Sequence, residues 1–348
     1  MKQMAFALAL FCLLTLLVPA AGYLAGGYLK LPTQPLAFAQ PDNPSDPQQE
    51  DLQQTETAQS SPAPAGQTGM IVVQDASTGQ VLEIPVLEYI IGAVASEMPI
   101  DWPDEALKAQ AIAAHSYALY QRDHADTAAL GGAWFSVEPA RRLGYMSQEV
   151  LQSYWGDAFE TNYNRLKELF TPLADTVLLY EGQPAAACYH AISNGRTQAS
   201  QAVWEQSLPY LQGVDSPLDK GVEGYSCTVE YSTQQVYDIL AAQVPGANLE
   251  GDPSGWFGST SWNDWGYVDR VEIGGVFVRG TQFRTLMGLR SSCFSIEQTE
   301  NGFAFTTLGY GHGVGLSQSG AAAMAAQGQT CQEILAWYYP GTQLGSAE

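Results

Sequence analysis

Residues 87–120 read LEYIIGAVASEMPIDWPDEALKAQAIAAHSYALY. Leu87, Ile90, Ile91, Val94 and Met98 recur at the spacing of an amphipathic helix. Glu97 falls three residues after Val94 and seven after Ile90, so it projects from the same apolar face. Pro99 and Trp102 are expected to crowd it. A carboxyl so placed loses hydration, and its pKa should rise. An acid that keeps its proton near neutral pH can protonate a leaving group. The same spacing also lets Glu97 cap the next helix or pair with Lys108. Pro103 opens that second helix, with Asp104 and Glu105 well placed in its first turn. It is predicted to run to about Arg122.

Upstream, MIVVQD (70–75) and QVLEIPV (80–86) read as strands around the turn Ala76–Gly79. Downstream, Ser147 to Leu169 carries a third helical pattern. Between Val177 and Arg290 the strand-like runs TVLLYEG, YVDRVEIG and VFVRG alternate with many glycines. Thr330 and Glu333 have the spacing of a capping box for a last helix ending at Pro340-Gly341. The expected class is α+β: mixed helices and short antiparallel strands in one large, glycine- and loop-rich domain over 69–344.

Before that domain, Lys2 precedes an apolar run from Met4 to about Ala25, long enough to span a hydrocarbon core of about 30 Å. Val18-Pro19-Ala20 also reads as a signal-peptide cleavage site. The run continues to Leu29, which favours an uncleaved membrane helix over residues 1–30. Either way the bulk of the chain is expected to be exported. Residues 31–68 include a stretch with almost no large apolar side chain, and are expected to form a disordered linker.

Only 14% of residues are charged, yet the formal net charge is −22. From residue 70 onward 31 acidic side chains face 12 basic ones. Such a surface excludes the basic stripe needed for nucleic acid and disfavours anionic lipid. A neutral polymer or a partner protein suits it better. Cys188, Cys227, Cys293 and Cys331 lie outside the apolar start and lack any CxxC pair. They allow two disulfides, in any of three connectivities, or free buried thiols.

Four histidines occur. His124 follows the second helix, and His115 lies within it on the side of Lys108, Ile112 and Leu119. His190 sits in ACYHAISNGRTQAS and His312 in GYGHGVGLSQSGA. Gly309–Gly315 alternates glycine with larger residues, which lets backbone approach a ligand closely. It is no phosphate loop, because the lysine is missing. His312, Ser317 and Gln318 could hydrogen-bond sugar hydroxyls, or the loop is a tight turn beneath the last helix. Cys188 and His190 could be metal ligands, a cysteine nucleophile with its base, or an inert buried thiol beside a core histidine. No GxSxG, HExxH or SxxK pattern occurs. No metal or cofactor is expected.

The 87–120 block resembles the opening motif of the stage II sporulation protein D family, which also includes amidase-enhancer wall proteins. GYGHGVGLSQSGAAAMAAQGQTCQEILAWYYPGT (309–342) resembles its closing motif. YHAISNGRT, VWEQSLPYLQGVDSP and RGTQFRTLMGLRS fit between them, so the likeness covers about Ile71 to Thr342. It implies a lytic transglycosylase of peptidoglycan whose catalytic acid, in the EMP motif, falls on Glu97. Candidate substrate contacts are then Lys108, His115, Tyr189, Ser193, His312, Ser317 and Gln318. It also implies action at the septal or engulfing membrane during sporulation, with the stage II sporulation proteins P and M as partners. Relatives often carry Arg-Thr where this chain has His115-Ser116, so His115 would serve less strongly, or only when protonated. The loop after the second helix keeps only His124 of the cysteines and histidines many relatives carry there. Two other readings stay open: a non-catalytic wall-binding enhancer of an amidase, and a cysteine peptidase using Cys188 with His190 or His312.

Overall fold

Alternation in MIVVQD buries Ile71 and Val73 completely, while Gly79 (φ 74°) closes the turn that follows. Asp75 braces that turn by accepting from the Ser77 amide and hydroxyl. The computed structural model that shows this describes residues 69–204 and 206–347. The expected membrane helix at 1–30 and linker at 31–68 lie outside the described residues. Among the described residues no helix is long and apolar enough to cross a membrane.

The elements follow in chain order. They begin with β1 (Met70–Asp75), β2 (Val81–Pro85), α1 (Val86–Glu97), α2 (Asp104–His124), β3 (Phe135–Val137), α3 (Gln148–Trp155) and α4 (Phe159–Phe170). Next come β4 (Thr176–Tyr180), β5 (Gln183–Pro184), β6 (Tyr189–His190), α5 (Gln201–Trp204), β7 (Ser226–Ser232) and α6 (Thr233–Gln243). Then follow β8 (Phe257–Trp262), β9 (Val268–Ile273), β10 (Val276–Arg279), α7 (Gly280–Leu286), β11 (Phe294–Gln298) and β12 (Gly302–Leu308). The last are β13 (Leu316–Ser317), α8 (Gln318–Ala326), α9 (Cys331–Tyr338) and β14 (Gln343–Ser346). This is a mixed α and β domain with short strands.

Two apolar cores organise it. The first surrounds α2, whose buried Ala106, Ala109, Ala113, Ala114 and Ala118 let α1, α8, α9 and β4 approach closely. Gly92 on α1 has the same effect, since a Cβ there would sit 2.2 Å from the Met146 carbonyl oxygen. The second core lies among α6, α7 and the sheets β11-β12-β7 and β10-β9-β8. Phe257, Phe283, Phe294, Phe303 and Phe305 interlock there edge-on or tilted.

Two expectations need correction. The single helix expected over 147–169 is two, because Gly156 (φ 54°) breaks the path between α3 and α4. The strands are not uniformly antiparallel: β1 pairs with β3, and β6 with β13, in parallel. The spacing of Cys188, Cys227, Cys293 and Cys331 leaves disulfides and thiols both open, and no disulfide joins them. The capping box at Thr330 and Glu333 is present and opens α9.

The β6–β13 pair positions the site. Tyr189 registers with Leu316 and His190 with Ser317, so the glycine loop delivers the start of α8 to the first core. Gly315 (φ 71°) permits this, since a Cβ there would lie 2.0 Å from the Cys188 carbonyl oxygen.

Candidate active site

Pro99 disfavours helix at the preceding residue, so Met98 is extended (φ −127°, ψ 142°) and α1 stops on Glu97. The carboxyl therefore sits at the negative end of the helix dipole, where an anion is least welcome. It is only 6% exposed. Burial pushes its pKa up to about 7, and the Gln318 Nε2–H bond to Oε2 (3.2 Å) draws it part of the way back. Pro99 itself is exposed. Burial, reinforced by the charge of Glu97, keeps the phenols of Tyr89 and Tyr189 protonated far above their usual range. Arg165 on α4 fixes the segment after the acid. It donates to the Ile100 carbonyl, the Trp102 carbonyl (3.1 Å) and Asp104 Oδ1 (2.6 Å).

The structure brings Tyr189 and Gln318 to Glu97, and treats the other candidates differently. Lys108 does not pair with Glu97; its ammonium lies 2.7 Å from Glu105, one turn earlier on its own helix. Glu105 in turn accepts from the Cys331 amide at 2.7 Å, so this pair serves the α2–α9 contact. Nor does Glu97 cap α2, whose N-cap position is Pro103. His115 is 2% exposed and turned toward the backbone of Thr176 rather than Glu97. Burial lowers its pKa to about 4, so at neutral pH it brings no positive charge. Its neighbour Ser116 accepts from the Leu178 amide at 2.7 Å and ties α2 to β4.

Ser193 and Ser317 are both fully buried and engaged internally. Ser193 donates from amide and hydroxyl to Asp219 Oδ2, and its hydroxyl accepts from Gly195. Ser317 donates to Asp219 Oδ1 (2.9 Å) and caps α8 by accepting from the Gly320 amide. Their hydroxyls bind the fold together instead of presenting themselves to a sugar.

The ring of His312 has Trp204 at 5.0 Å and His190 at 5.6 Å. One residue, Val314, sets both tautomers. Its carbonyl faces His190 Nδ1 (3.1 Å), which must carry the proton, leaving Nε2 a bare lone pair. Its amide donates to His312 Nδ1 (3.1 Å), leaving Nε2–H as the donor. Neither Nε2 has a hydrogen-bond partner.

Sequence reasoning missed Tyr89, Asp219 and Gln110. Tyr89 was legible only as an apolar position of α1, eight residues before Glu97. Asp219 lies in the irregular stretch SPLDKG, where nothing marks a carboxylate as buried, yet its exposure is 0%. Gln110 is fully buried on α2 with neither amide atom bonded. Its place among alanines was the available signal.

A family model described as Stage II sporulation protein matches residues 74–180. The chain is 32% identical over 351 positions to Stage II sporulation protein D of Bacillus subtilis (strain 168), covering 100% of this chain and 97% of that protein. It is 31% identical over 350 positions to Stage II sporulation protein D of Bacillus amyloliquefaciens, with the same coverage. It is also 27% identical over 308 positions to Amidase enhancer of Bacillus subtilis (strain 168), covering 73% of this chain and 40% of that protein.

Proposed function

The chain belongs to the stage II sporulation protein D family, and we propose that it cleaves peptidoglycan glycan strands as a lytic transglycosylase with Glu97 as its acid. The observation that carries this reading is a lone carboxyl poised near neutrality. Burial raises its pKa and one amide lowers it in part, with no second carboxylate acting on it. Ordinary glycosidases need a carboxylate pair. A reaction in which the sugar supplies its own nucleophile needs one.

The chemistry runs through the two oxygens of Glu97. Gln318 donates to Oε2, so the acidic proton resides on Oε1. Oε1–H protonates the glycosidic oxygen between N-acetylmuramic acid and N-acetylglucosamine as the C1–O bond breaks. The muramyl 6-hydroxyl closes on the oxocarbenium-like C1 and returns its proton to the carboxylate. The product carries a 1,6-anhydro end, and no water is consumed. Glu97 must start protonated, so cleavage declines as pH rises through about 7. The setting we propose is extracytoplasmic, at the septal or engulfing membrane, held there by an anchor in residues 1–30. The partners are stage II sporulation proteins P and M, and an amidase that strips stem peptides supplies denuded glycan.

The likeness to the amidase enhancer favours a second reading, a wall-binding protein that stimulates an amidase without cutting glycan. Mass spectrometry of purified glycan digested with the full-length chain separates the two. Anhydromuramyl ends, lost in Glu97→Gln, support the first. Unchanged glycan together with stimulation of an added amidase supports the second, and full activity in Glu97→Gln removes Glu97 from the mechanism.

A further inference from the structure

Gln318 reaches Glu97 because the residue before it is pinned. Ser317 opens α8 as its N-cap, and its hydroxyl proton goes to Asp219 Oδ1. Asp219 lies in the short 3₁₀ turn Pro217–Gly221 and is wholly buried. Its other oxygen takes the Ser193 amide (3.0 Å) and hydroxyl. The turn and the first turn of α8 are in near-backbone contact. A Cβ on Gly320 would meet Tyr338 Oη at 2.1 Å, Ser216 Oγ at 2.6 Å and Asp219 Oδ1 at 3.2 Å. Ser216 Oγ and Tyr338 Oη are themselves 2.7 Å apart. One carboxylate therefore lashes together the β6 loop, the turn and the head of α8.

We infer that Asp219 is a positioning residue for Glu97: through Ser317 it sets the rotation of α8 at which the Gln318 amide meets the carboxyl. A neutral amide at 219 could not replace it. The site points three donors from two residues at two oxygens, and asparagine offers one oxygen and one N–H₂. Burying a carboxylate is costly. The fold retains one here because both of its oxygens are used. This deepens the transglycosylase reading and rests on Glu97 as the acid.

The readout is the titration of Glu97 itself, which a merely structural role for Asp219 would not move. The groups facing that carboxyl are Tyr89 on α1, Tyr189 on β6 and Gln318 on α8. Full-length protein labelled with ¹³C at glutamate carboxyls would be titrated by NMR, with Glu97→Gln identifying the resonance. Asp219→Asn and Ser317→Ala should raise the Glu97 midpoint by about half to one pH unit, the worth of one net hydrogen bond. Gln318→Leu should produce the same rise. Ser193→Ala removes the hydroxyl donor to the other oxygen of Asp219, leaving the amide donor, and should leave the midpoint in place. A wild-type midpoint in folded Asp219→Asn and Ser317→Ala overturns the proposal, as does an equal rise in Ser193→Ala. Should Asp219→Asn fail to fold, Ser317→Ala decides alone. The titration uses no glycan, so failure of the transglycosylase reading would show separately, as unchanged glycan.

Discussion

Glu97→Gln should stabilise the protein, by an amount that grows with pH. In the folded chain the carboxyl titrates at about 7, against an ordinary value of 4.5. The folded state therefore binds the proton more tightly than the unfolded chain, and stability is lost as pH rises from 4.5 to about 7. Each unit of difference is worth about 1.4 kcal/mol, so the native charge costs about 3 kcal/mol at neutral pH and above. Glutamine keeps the shape and an acceptor for Gln318 but never ionises. Its advantage should be near zero at about pH 4 and approach about 3 kcal/mol at about pH 8. Urea unfolding of both full-length proteins across that range measures the difference. An advantage that does not grow with pH, or a less stable variant at the alkaline end, would refute the assignment of a desolvated carboxyl at 97.

The buried histidines act in the opposite sense. His115 and His190 are depressed to about 4 by burial, so the unfolded chain protonates first and stability falls as pH drops from 6.5 toward 4. His115→Gln should flatten that fall by up to about 3 kcal/mol, and an unchanged slope in urea midpoints counts against it. Arg165→Gln frees the Ile100 and Trp102 carbonyls and should cost about 1–3 kcal/mol. Amide exchange should accelerate first across residues 100–104, and uniform exchange would contradict the staple. Gly315→Ala drives a methyl into the Cys188 carbonyl and should cost more than about 4 kcal/mol; wild-type thermal stability would rule out the close approach.

The helices were legible because their signals are local. Apolar spacing exposed the buried side of α1, Pro99 marked its end, and Thr330 with Glu333 marked the head of α9. The buried, perturbed state of Glu97 could be read for the same reason. Its neighbours could not. Helical spacing made Lys108 a reasonable partner, but Glu105 at i−3 claims the ammonium first. His115 faces β4, an orientation set by tertiary packing rather than by any period in the sequence. The role of Asp219 depends on three segments meeting, and a carboxylate in a Pro- and Lys-containing turn looks like surface. The motifs suggested Ser193 and Ser317 as sugar contacts, yet their hydroxyls answer to Asp219.

The bond between Gln318 and Glu97 spans 221 positions of the chain. Closing so long a loop carries a conformational entropy cost that only later contacts can offset. No fragment ending before residue 318 contains both partners. During synthesis α1 emerges long before α8 exists, and the carboxyl waits without its amide until the final segments dock on the first core. The acid is thus completed last, which ties the competence of the site to the integrity of nearly the whole described fold.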